Sequence, residues 1–343
     1  MIVIRATAIA VVVAAAVCAA QGAQDTRPSF TDFLAGIRTE AIGRGISQAT
    51  VDAALADIEE PVPVVIERDR AQAEVVQSFE RYIAHHVSAK TIRSGREMYA
   101  RHQALLAEVA RDYGVPPGIV LSIWGMESNY GRFSGVRPTV AALATLAWDP
   151  RRSTFFRGEL FAALEILDRG DIELANLKGS WAGAMGQVQF MPSSYLSYAE
   201  DFDGDGRRDI WSTPADVFAS IANYLLGHGW HSGESWGREV KVPAAALRKI
   251  RADIGRRNGS CQATRDMTVP LPLSKWESLG VRLSSGRPLP KSDLDASLVS
   301  GSTRHFLVYR NYDALLDYNC AHSYALSVGL LADRLVVQSI HGR

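Results

Sequence analysis

The stretch Val115-Pro-Pro-Gly-Ile-Val-Leu-Ser-Ile-Trp-Gly-Met-Glu-Ser-Asn-Tyr-Gly131 decides how the rest of the chain is interpreted. Its two consecutive prolines predict the start of a helix, because proline is tolerated in the first turn. Ile119, Ile123 and Glu127 then follow at intervals of four, so the carboxylate lies on the face that otherwise packs into the core. Glu127 also falls in the last turn, where unpaired carbonyl groups form the negative end of the helix dipole.

This position predicts a raised pKa for Glu127. Desolvation and the helix dipole both disfavour the ionised carboxylate, and a raised pKa suits a general acid at neutral pH. The alternative is a glutamate whose stem packs while its carboxylate reaches solvent at a frayed helix end. Position alone favours that simpler interpretation, whereas the Glu-Ser-x-x-Gly context favours catalysis.

The composition is that of an ordinary globular protein. The chain has 343 residues, 47% of them hydrophobic and 22% charged, which excludes wholesale disorder, a collagen-like fibre and a coiled coil. Its 37 Lys and Arg balance 37 Asp and Glu, which argues against nucleic-acid binding. Three cysteines are too few for a disulfide scaffold and lack zinc-site spacing. The length predicts two domains, or one core with insertions.

The first residues have the pattern of a secretory signal. Arg5 precedes an apolar run from Ala6 to Ala20, which is shorter than the roughly 20 residues that span a bilayer. Cys18 is followed by two alanines, which offers a small-x-Ala cleavage site. A lipid anchor on Cys18 is the alternative, and the bulky Val17 argues against it. We therefore predict a signal peptide over residues 1–23 and a periplasmic protein.

The secondary structure predicted for the remaining chain changes twice. Residues from Phe30 to Tyr113 show a helical pattern, in which Glu67 to His86 is predicted as one long helix. From Trp236 to Phe306, short β-branched runs between Pro, Gly and Ser turns predict a small β insertion. Helix is predicted again from Asp313 to Val337. The strand candidates are Val240–Val242, Met267–Val269, Val281–Leu283 and His305–Tyr309.

Five separated motifs, in order along the chain, closely resemble the lytic murein transglycosylase B family. They are Glu127-Ser-Asn-Tyr-Gly131, Gly179-Ser-Trp-Ala-Gly-Ala-Met-Gly186, Gln189-Phe-Met-Pro-Ser-Ser194, Asn223-Tyr224 and Tyr318-Asn319. The resemblance implies an α+β fold that is predominantly α, with a lysozyme-like core, an N-terminal helical domain and a small β insertion. The corresponding segments are 28–115 for the helical domain, 116–235 for the catalytic core, 236–310 for the insertion and 311–343 for a C-terminal helix.

The resemblance also implies a reaction. Family members cleave the MurNAc-β-1,4-GlcNAc bond of peptidoglycan and leave a 1,6-anhydro-MurNAc end, with one glutamate as acid and base and no catalytic cofactor. Most glycosidases need two carboxylates, and the Glu127 motif offers no second acid. Intramolecular attack by the muramoyl 6-hydroxyl replaces water and removes that need. A hydrolytic muramidase and a non-catalytic peptidoglycan-binding scaffold remain as alternatives.

Further residues match the substrate-binding positions of the family. Each has a simpler alternative: a tight packing loop for residues 179–186, core packing with satisfied hydroxyls for the tyrosines, and a solvated charge pair for the arginines. The implied partners are peptidoglycan glycan strands, with cell-wall synthesis or division proteins as further candidates, and we expect a monomer that binds no nucleic acid. The implied substrate-binding residues are Ser180, Gln189, Tyr224, Tyr318, Asn319, Tyr324, Arg151 and Arg152.

An acidic loop follows the Gln189 motif and resembles an EF-hand. Three aspartates occupy loop positions 1, 3 and 5, with Gly206 at the turn, but Ser212 replaces the bidentate glutamate of position 12. The resemblance suggests that a later acid completes a structural calcium site. A solvated Asx-rich turn is one alternative, and a capping box formed with Thr213 is another explanation for the last acid. The candidate ligands are Asp201, Asp203, Asp205, Arg207 through its carbonyl, Asp209 and Asp216.

Two cysteines remain if the signal peptide is removed. Cys261 and Cys320 would then face an oxidising compartment, where a pair persists as a disulfide. Such a bridge would tie the β insertion to the segment that carries Asn319. The alternative is two separate buried thiols.

Overall fold

The computed structural model describes residues 27–71 and 78–336, so the predicted signal peptide lies outside the described residues. The helices are α1 Phe30–Gly43, α2 Gln48–Leu55, α3 Pro63–Ala71, α4 Phe79–His86, α5 Ala89–Arg101, α6 Gln103–Tyr113, α7 Pro117–Ser128, α8 Thr139–Trp148, α9 Ser153–Asp168, α10 Pro192–Tyr198, α11 Pro214–Gly227, α12 Ala244–Asp253, α13 Gln262–Asp266, α14 Leu273–Ser278, α15 Asn311–Tyr318 and α16 His322–Leu335. The strands are β1 Arg137–Pro138, β2 Lys178–Gly179, β3 Gly237–Lys241, β4 Leu271–Pro272, β5 Arg282–Leu283, β6 Asp295–Ser300 and β7 His305–Val308.

Helix α7 lies at the centre of the helical part and packs against α5, α6, α11 and α16. Every residue from Gly118 to Trp124 is buried, because the segment is apolar on all its faces. The packing is closest at Gly118, where a Cβ atom would lie 2.8 Å from the carbonyl oxygen of Ala332 on α16. This helix therefore holds Glu127, in its last turn, at a fixed place in the core.

The described residues contain two hydrophobic cores. The larger core joins α1–α11 with α15 and α16, so the N-terminal helices share it with α7. The smaller core lies inside the β insertion and is built around Trp276, Leu298 and Leu307. The insertion thus folds around its own apolar side chains and packs against the helical part.

The insertion contains one antiparallel sheet with strand order β4-β6-β7-β3-β5. Three of the four predicted strands overlap observed ones. The prediction at Met267–Val269 is wrong, because Thr268 forms only an isolated bridge to Arg256. Strand β6 was missed: Ala296 to Val299 are all buried, so the strand lacks the alternation that marks a strand with one face in water.

Two predicted helices are each interrupted. The prediction of one helix from Glu67 to His86 is wrong, because Ser78 is extended and caps the start of α4 by accepting a hydrogen bond from the Arg81 N–H at 3.5 Å. The C-terminal helix is also two helices, since Asn319 and Ala321 have extended backbone conformations between α15 and α16.

A disulfide joins Cys261 and Cys320, whose Cα atoms are 5.8 Å apart, which confirms the predicted bridge. It links the first residue before α13 in the insertion to the corner between α15 and α16. The bridge closes a loop with a sequence separation of 59 residues, so it restricts the unfolded chain substantially.

We expect the Cys261→Ser/Cys320→Ser double variant to lose about 2–4 kcal/mol of unfolding free energy, because the unfolded chain regains the entropy of the open loop. Urea unfolding of the oxidised mature protein and of the variant measures the difference. Reduced wild type is the control and should match the variant. Equal stability of the variant and the oxidised protein, or two free thiols per denatured, unreduced molecule, would contradict the bridge.

Candidate active site

Four elements meet at the carboxyl group of Glu127. The glutamate lies in the last turn of α7, and tyrosines from α4, α15 and α16 approach it. Burial, together with the negative charge of Glu127, raises the pKa of Tyr82, Tyr318 and Tyr324, which shows how near all three lie. The site is thus an acid set among tyrosines from distant parts of the chain.

The enclosure sets the ionisation of Glu127. Burial raises the pKa of this carboxyl to about 7, while the nearby Tyr324 hydroxyl acts in the opposite direction. No ion pair in the described residues neutralises it, and no second carboxylate contributes to the shift. The raised pKa predicted from the sequence is confirmed, with burial as the main cause. Glu127 remains partly accessible, so a ligand can reach it.

The turn after α7 explains the Glu-Ser-x-x-Gly motif. The Ser128 hydroxyl donates to the Trp124 carbonyl at 2.9 Å and accepts from the Gly131 N–H at 3.0 Å. Asn129, Tyr130 and Gly131 all have positive φ angles, of 51°, 59° and 76°. A Cβ atom on Gly131 would lie 2.6 Å from Oε1 of Gln187, so only glycine fits this left-handed position. The motif therefore ends the helix abruptly and fixes the direction of Glu127.

Two of the predicted tyrosines use their hydroxyls within the protein. Tyr224 donates to the Asp317 carbonyl at 2.8 Å, and Tyr318 donates to the Val188 carbonyl at 2.7 Å. The Phe190 ring packs against both, with centroid distances of 5.3 and 6.0 Å. For these two tyrosines, the structure therefore agrees with the alternative of core packing with satisfied hydroxyls. Tyr324 differs, because its buried hydroxyl makes no close hydrogen bond to another described residue and interacts with Glu127.

Ser180 and Gln189 lie in the loops beside this cluster. The Ser180 hydroxyl accepts from the N–H groups of Ala182 and Ala184 at 3.3 and 3.1 Å, which closes a tight loop. Gln189 has a left-handed φ of 52° and donates from Nε2 to the Gly186 carbonyl at 2.9 Å. Such a conformation costs a non-glycine residue about 1–2 kcal/mol and is typical of functional sites. Substrate contacts for both residues stay predictions.

The predicted arginine pair is already engaged. Arg151 and Arg152 both form ion pairs with Asp69 of α3, and Arg151 also binds Asp149 at 3.1 Å. No described interaction connects either arginine with Glu127. Asn319 is exposed beside Tyr318, and its side chain makes no hydrogen bond to the described residues.

Sequence reasoning missed Tyr82 as a member of the site. It lies on α4, which was predicted as the C-terminal part of one long helix, and no motif marks it. Its apolar neighbours along the helix could indicate a buried face, but not which other element that face meets. Tyr82 is partly exposed and its ring stacks on His86 at 3.9 Å.

The acidic loop gathers three of its predicted ligands. Carboxylate oxygens of Asp201, Asp203 and Asp205 all lie within 4.8 Å of one another. Asp201 accepts hydrogen bonds from the N–H groups of residues 204, 205 and 206, at 2.9, 3.0 and 2.8 Å, which folds the loop around its carboxylate. Hard oxygen donors at this spacing fit a calcium ion.

The last two acids of the loop have other partners. Asp209 accepts from the N–H groups of Trp211 and Ser212. Asp216 is fully buried and accepts from the N–H groups of Phe202 and Asp209, at 2.8 and 2.7 Å, so it holds the two ends of the loop together. The capping-box alternative is wrong, because no side chain caps α11 at Thr213. Burial raises the pKa of Asp216, and the charges of the nearby loop acids act in the same direction.

Comparison with known proteins gives consistent matches. The sequence profile of the family described as Transglycosylase SLT domain (SLT_2) matches residues 29–333. Membrane-bound lytic murein transglycosylase B of Escherichia coli (strain K12) is 41% identical over 155 residues, a stretch that covers 45% of this chain and 43% of that relative. The chain thus aligns with less than half of the curated relative's length.

Two solved structures extend the likeness to most of the chain. SltB3 from Pseudomonas aeruginosa, in complex with NAG-anhNAM-pentapeptide, is 41% identical with a TM-score of 0.81, covering 90% of this chain and 79% of that one. The E. coli lytic transglycosylase Slt35, in complex with calcium, is 28% identical with a TM-score of 0.72, covering 90% and 93%. These matches confirm the predicted fold class, mostly helical and lysozyme-like with a small sheet.

None of the helices in the described parts of the chain combines the length and the apolar character needed to cross a bilayer.

We expect Tyr324→Phe to raise the pKa of Glu127 above its value of about 7, because the lost hydroxyl stabilises the ionised carboxylate. An NMR titration of ¹³C-labelled glutamate carboxyl groups measures the shift. Tyr224→Phe is the matched control, since its hydroxyl binds the Asp317 carbonyl, and it should leave the titration unchanged. A lower or unaltered Glu127 pKa in Tyr324→Phe would contradict the assignment.

Proposed function

Because the chain belongs to the family of transglycosylase SLT domains, we propose that it is a peptidoglycan lytic transglycosylase. It cleaves the MurNAc-β-1,4-GlcNAc bond and leaves a 1,6-anhydro-MurNAc end. The observation that carries the proposal is the buried, unpaired carboxyl of Glu127, whose pKa of about 7 suits proton transfer in both directions. The relative SltB3 supports the substrate class, because its structure holds a NAG-anhNAM-pentapeptide.

In the first step, protonated Glu127 donates its proton to the glycosidic oxygen, and the bond from that oxygen to C1 of the muramoyl residue breaks. The GlcNAc unit leaves as an alcohol, and positive charge develops at the muramoyl C1, which the substrate's own N-acetyl group shields. The enclosed position of the carboxyl keeps a useful fraction of it protonated at neutral pH.

In the second step, the carboxylate formed on Glu127 removes the proton from the muramoyl 6-hydroxyl as its oxygen attacks C1. The intramolecular attack closes the 1,6-anhydro ring and returns the enzyme to its protonated form, so atoms and charges balance without water. No second carboxylate acts on Glu127 among the described residues. The two other acids considered have different partners: Glu159 accepts hydrogen bonds from Ser193, and exposed Glu165 pairs with Arg169.

We expect Glu127→Gln to keep the fold and glycan binding and to lower turnover about 10²–10⁴-fold, since the shape remains while the transferable proton is lost. Digestion of purified peptidoglycan followed by mass spectrometry measures both rate and product. The wild-type product should be lighter by one water than the product of hydrolysis.

Glu165→Gln is the matched control and should digest at the wild-type rate, because its carboxylate is exposed and paired on the surface. Near wild-type activity of Glu127→Gln would exclude the single-acid mechanism and direct attention to Glu159 and Glu165. Muropeptides with ordinary reducing ends would assign a hydrolytic muramidase instead. Binding to peptidoglycan without any turnover by the wild type would assign a scaffold.

We also propose that the acidic loop binds a structural calcium ion. Asp201, Asp203 and Asp205 supply carboxylate oxygens, and Arg207 supplies its carbonyl oxygen at position 7 of the loop. The convergence of three carboxylates within 4.8 Å supports a hard cation, because their charges repel one another without it. The relative Slt35 has been solved in complex with calcium. The ion stabilises the loop between α10 and α11 and takes no part in bond cleavage.

Calcium should raise the melting temperature of the chelator-treated protein by about 2–4 °C for each kcal/mol of binding free energy, because the ion binds only the folded loop. Differential scanning calorimetry with and without millimolar calcium measures the rise. Asp203→Ala/Asp205→Ala should abolish it. The control, Asp253→Ala/Asp293→Ala, loses the same charge at exposed positions outside the loop and should keep it. An unchanged wild-type melting temperature would exclude the site.

For its location, we infer export to the periplasm by the sequence pattern of residues 1–23, with action on glycan strands as a monomer. The cell-wall activity named for its relatives supports an extracytoplasmic site of action. Proteins of cell-wall synthesis or division are candidate partners on the same ground.

A further inference from the structure

A cavity whose lining does not include Glu127 lies where the β insertion meets the helical part. It has a volume of about 320 Å³ and is lined by residues of α12 and β6 and by the first residues of α4 and α16. This volume is near the lower end of the roughly 300–1,000 Å³ of small-molecule sites. We name it the insertion cavity and define it by Phe79, Leu247, Arg251, Leu298, Ser300 and His322.

Two polar atoms of its lining are buried without a hydrogen-bond partner in the described residues. They are the Ser300 hydroxyl and Nε2 of His322. Nδ1 of His322 lies 2.9 Å from the Tyr312 hydroxyl, and the two atoms share a hydrogen bond. Burial lowers the pKa of His322 to about 4, so the ring is neutral and carries a single proton. The backbone of Ala263 also interacts with this ring. The cavity thus presents two buried polar groups, and the Ser300 hydroxyl is free to donate to a ligand.

The net charge of the cavity lining is positive. Arg251 and Arg256 both belong to the lining, and Arg251 forms no ion pair with a described residue. Arg256 donates to the Asp266 carbonyl. The Asp266 carboxylate also lines the cavity and accepts from Gln262 Nε2 at 2.8 Å. Two guanidinium groups against one carboxylate leave one net positive charge beside the two buried polar groups, which favours an anion.

Part of the lining is apolar. Phe79, Leu247, Ile250 and Leu298 form this part, so a purely inorganic anion would leave their surface in contact with water. A guanidinium group and a carboxylate match in planar geometry, and a short apolar substituent would cover the apolar part of the lining. We propose that the insertion cavity binds a small carboxylate with a short apolar substituent, of the kind found at the end of an alanyl peptide or in a free N-acyl amino acid.

The cavity also adjoins the active site through α16. His322 faces the cavity, and Tyr324, two residues later, contacts Glu127; residues two apart on a helix point to nearly opposite sides. The Cys261–Cys320 bridge holds the start of this helix to the insertion. A carboxylate in the cavity is therefore recognised separately from the reacting bond.

N-acetyl-D-alanine is a suitable probe, and N-acetyl-D-alaninamide is its neutral counterpart. Titration calorimetry on the full mature protein should give a Kd on the order of 1 mM for the carboxylate, as expected for so few atoms. Arg251→Gln should weaken binding about tenfold, and Ser300→Ala about threefold to tenfold, with unchanged melting temperatures. Lys249→Gln is the matched control, because this exposed cation lies on the other side of α12 and should leave affinity unaltered.

Equal affinity for the amide, equal loss in Lys249→Gln and Arg251→Gln, or absence of binding at 10 mM probe would overturn the proposal. Digestion of peptidoglycan by Arg251→Gln at the wild-type rate would show that the cavity is distinct from the catalytic centre. A loss of digestion that tracks the loss of probe binding would contradict this separation. Competition by a disaccharide with a pentapeptide stem, but not by the bare disaccharide, would assign the carboxylate to the stem. Binding of the free acid without such competition would assign it to a small metabolite.

Discussion

The removal of one carboxyl group from water is the constraint on which the rest of the site depends. Glu127 gains neither an ion pair nor a second carboxylate from the described residues, so its environment disfavours the charged form. The elements that enclose it come from residues as far apart as α4 and α16. Their packing must be correct for the pKa to be correct, and catalysis is thereby coupled to the folding of the whole helical part.

The rest of the architecture keeps this enclosure rigid. Helix α7 is buried over most of its length, and Gly118 lets α16 approach it closely at the end opposite Glu127. At the other end, the left-handed turn through Gly131 stops the helix directly after the acid. The disulfide at Cys320 fixes the corner from which α16 departs, and α16 carries Tyr324 to the carboxyl. Each of these devices limits the movement of one neighbour of Glu127.

Much of this was predictable from local pattern, because the helix period and the capping residues of α7 are encoded within seventeen residues. That pattern predicted the raised pKa of Glu127, and the Glu-Ser-x-x-Gly context was needed to favour it over a carboxylate that reaches solvent. Tyr82 was not predicted, since its contact with Glu127 depends on how two separate helices pack. Arg151 and Arg152 form ion pairs with Asp69, although they lie 82 and 83 positions after it in the sequence. No sequence spacing indicates these pairs. Strand β6 was not predicted for a related reason: burial on both faces removes the alternation by which a strand is recognised.

A pKa near 7 has a specific consequence for a site with one acid. A carboxyl with an ordinary pKa near 4 would be almost wholly ionised at neutral pH, so it would rarely carry the proton that the first step needs. A carboxyl with a much higher pKa would be protonated in nearly every molecule, but it would not readily donate that proton to the leaving group. With the value of about 7 given by burial, protonated and ionised forms have similar populations, and the proton moves either way at a small free-energy cost. The Tyr324 hydroxyl acts against burial and so limits the rise, which makes this tyrosine part of the balance that lets one group serve both steps.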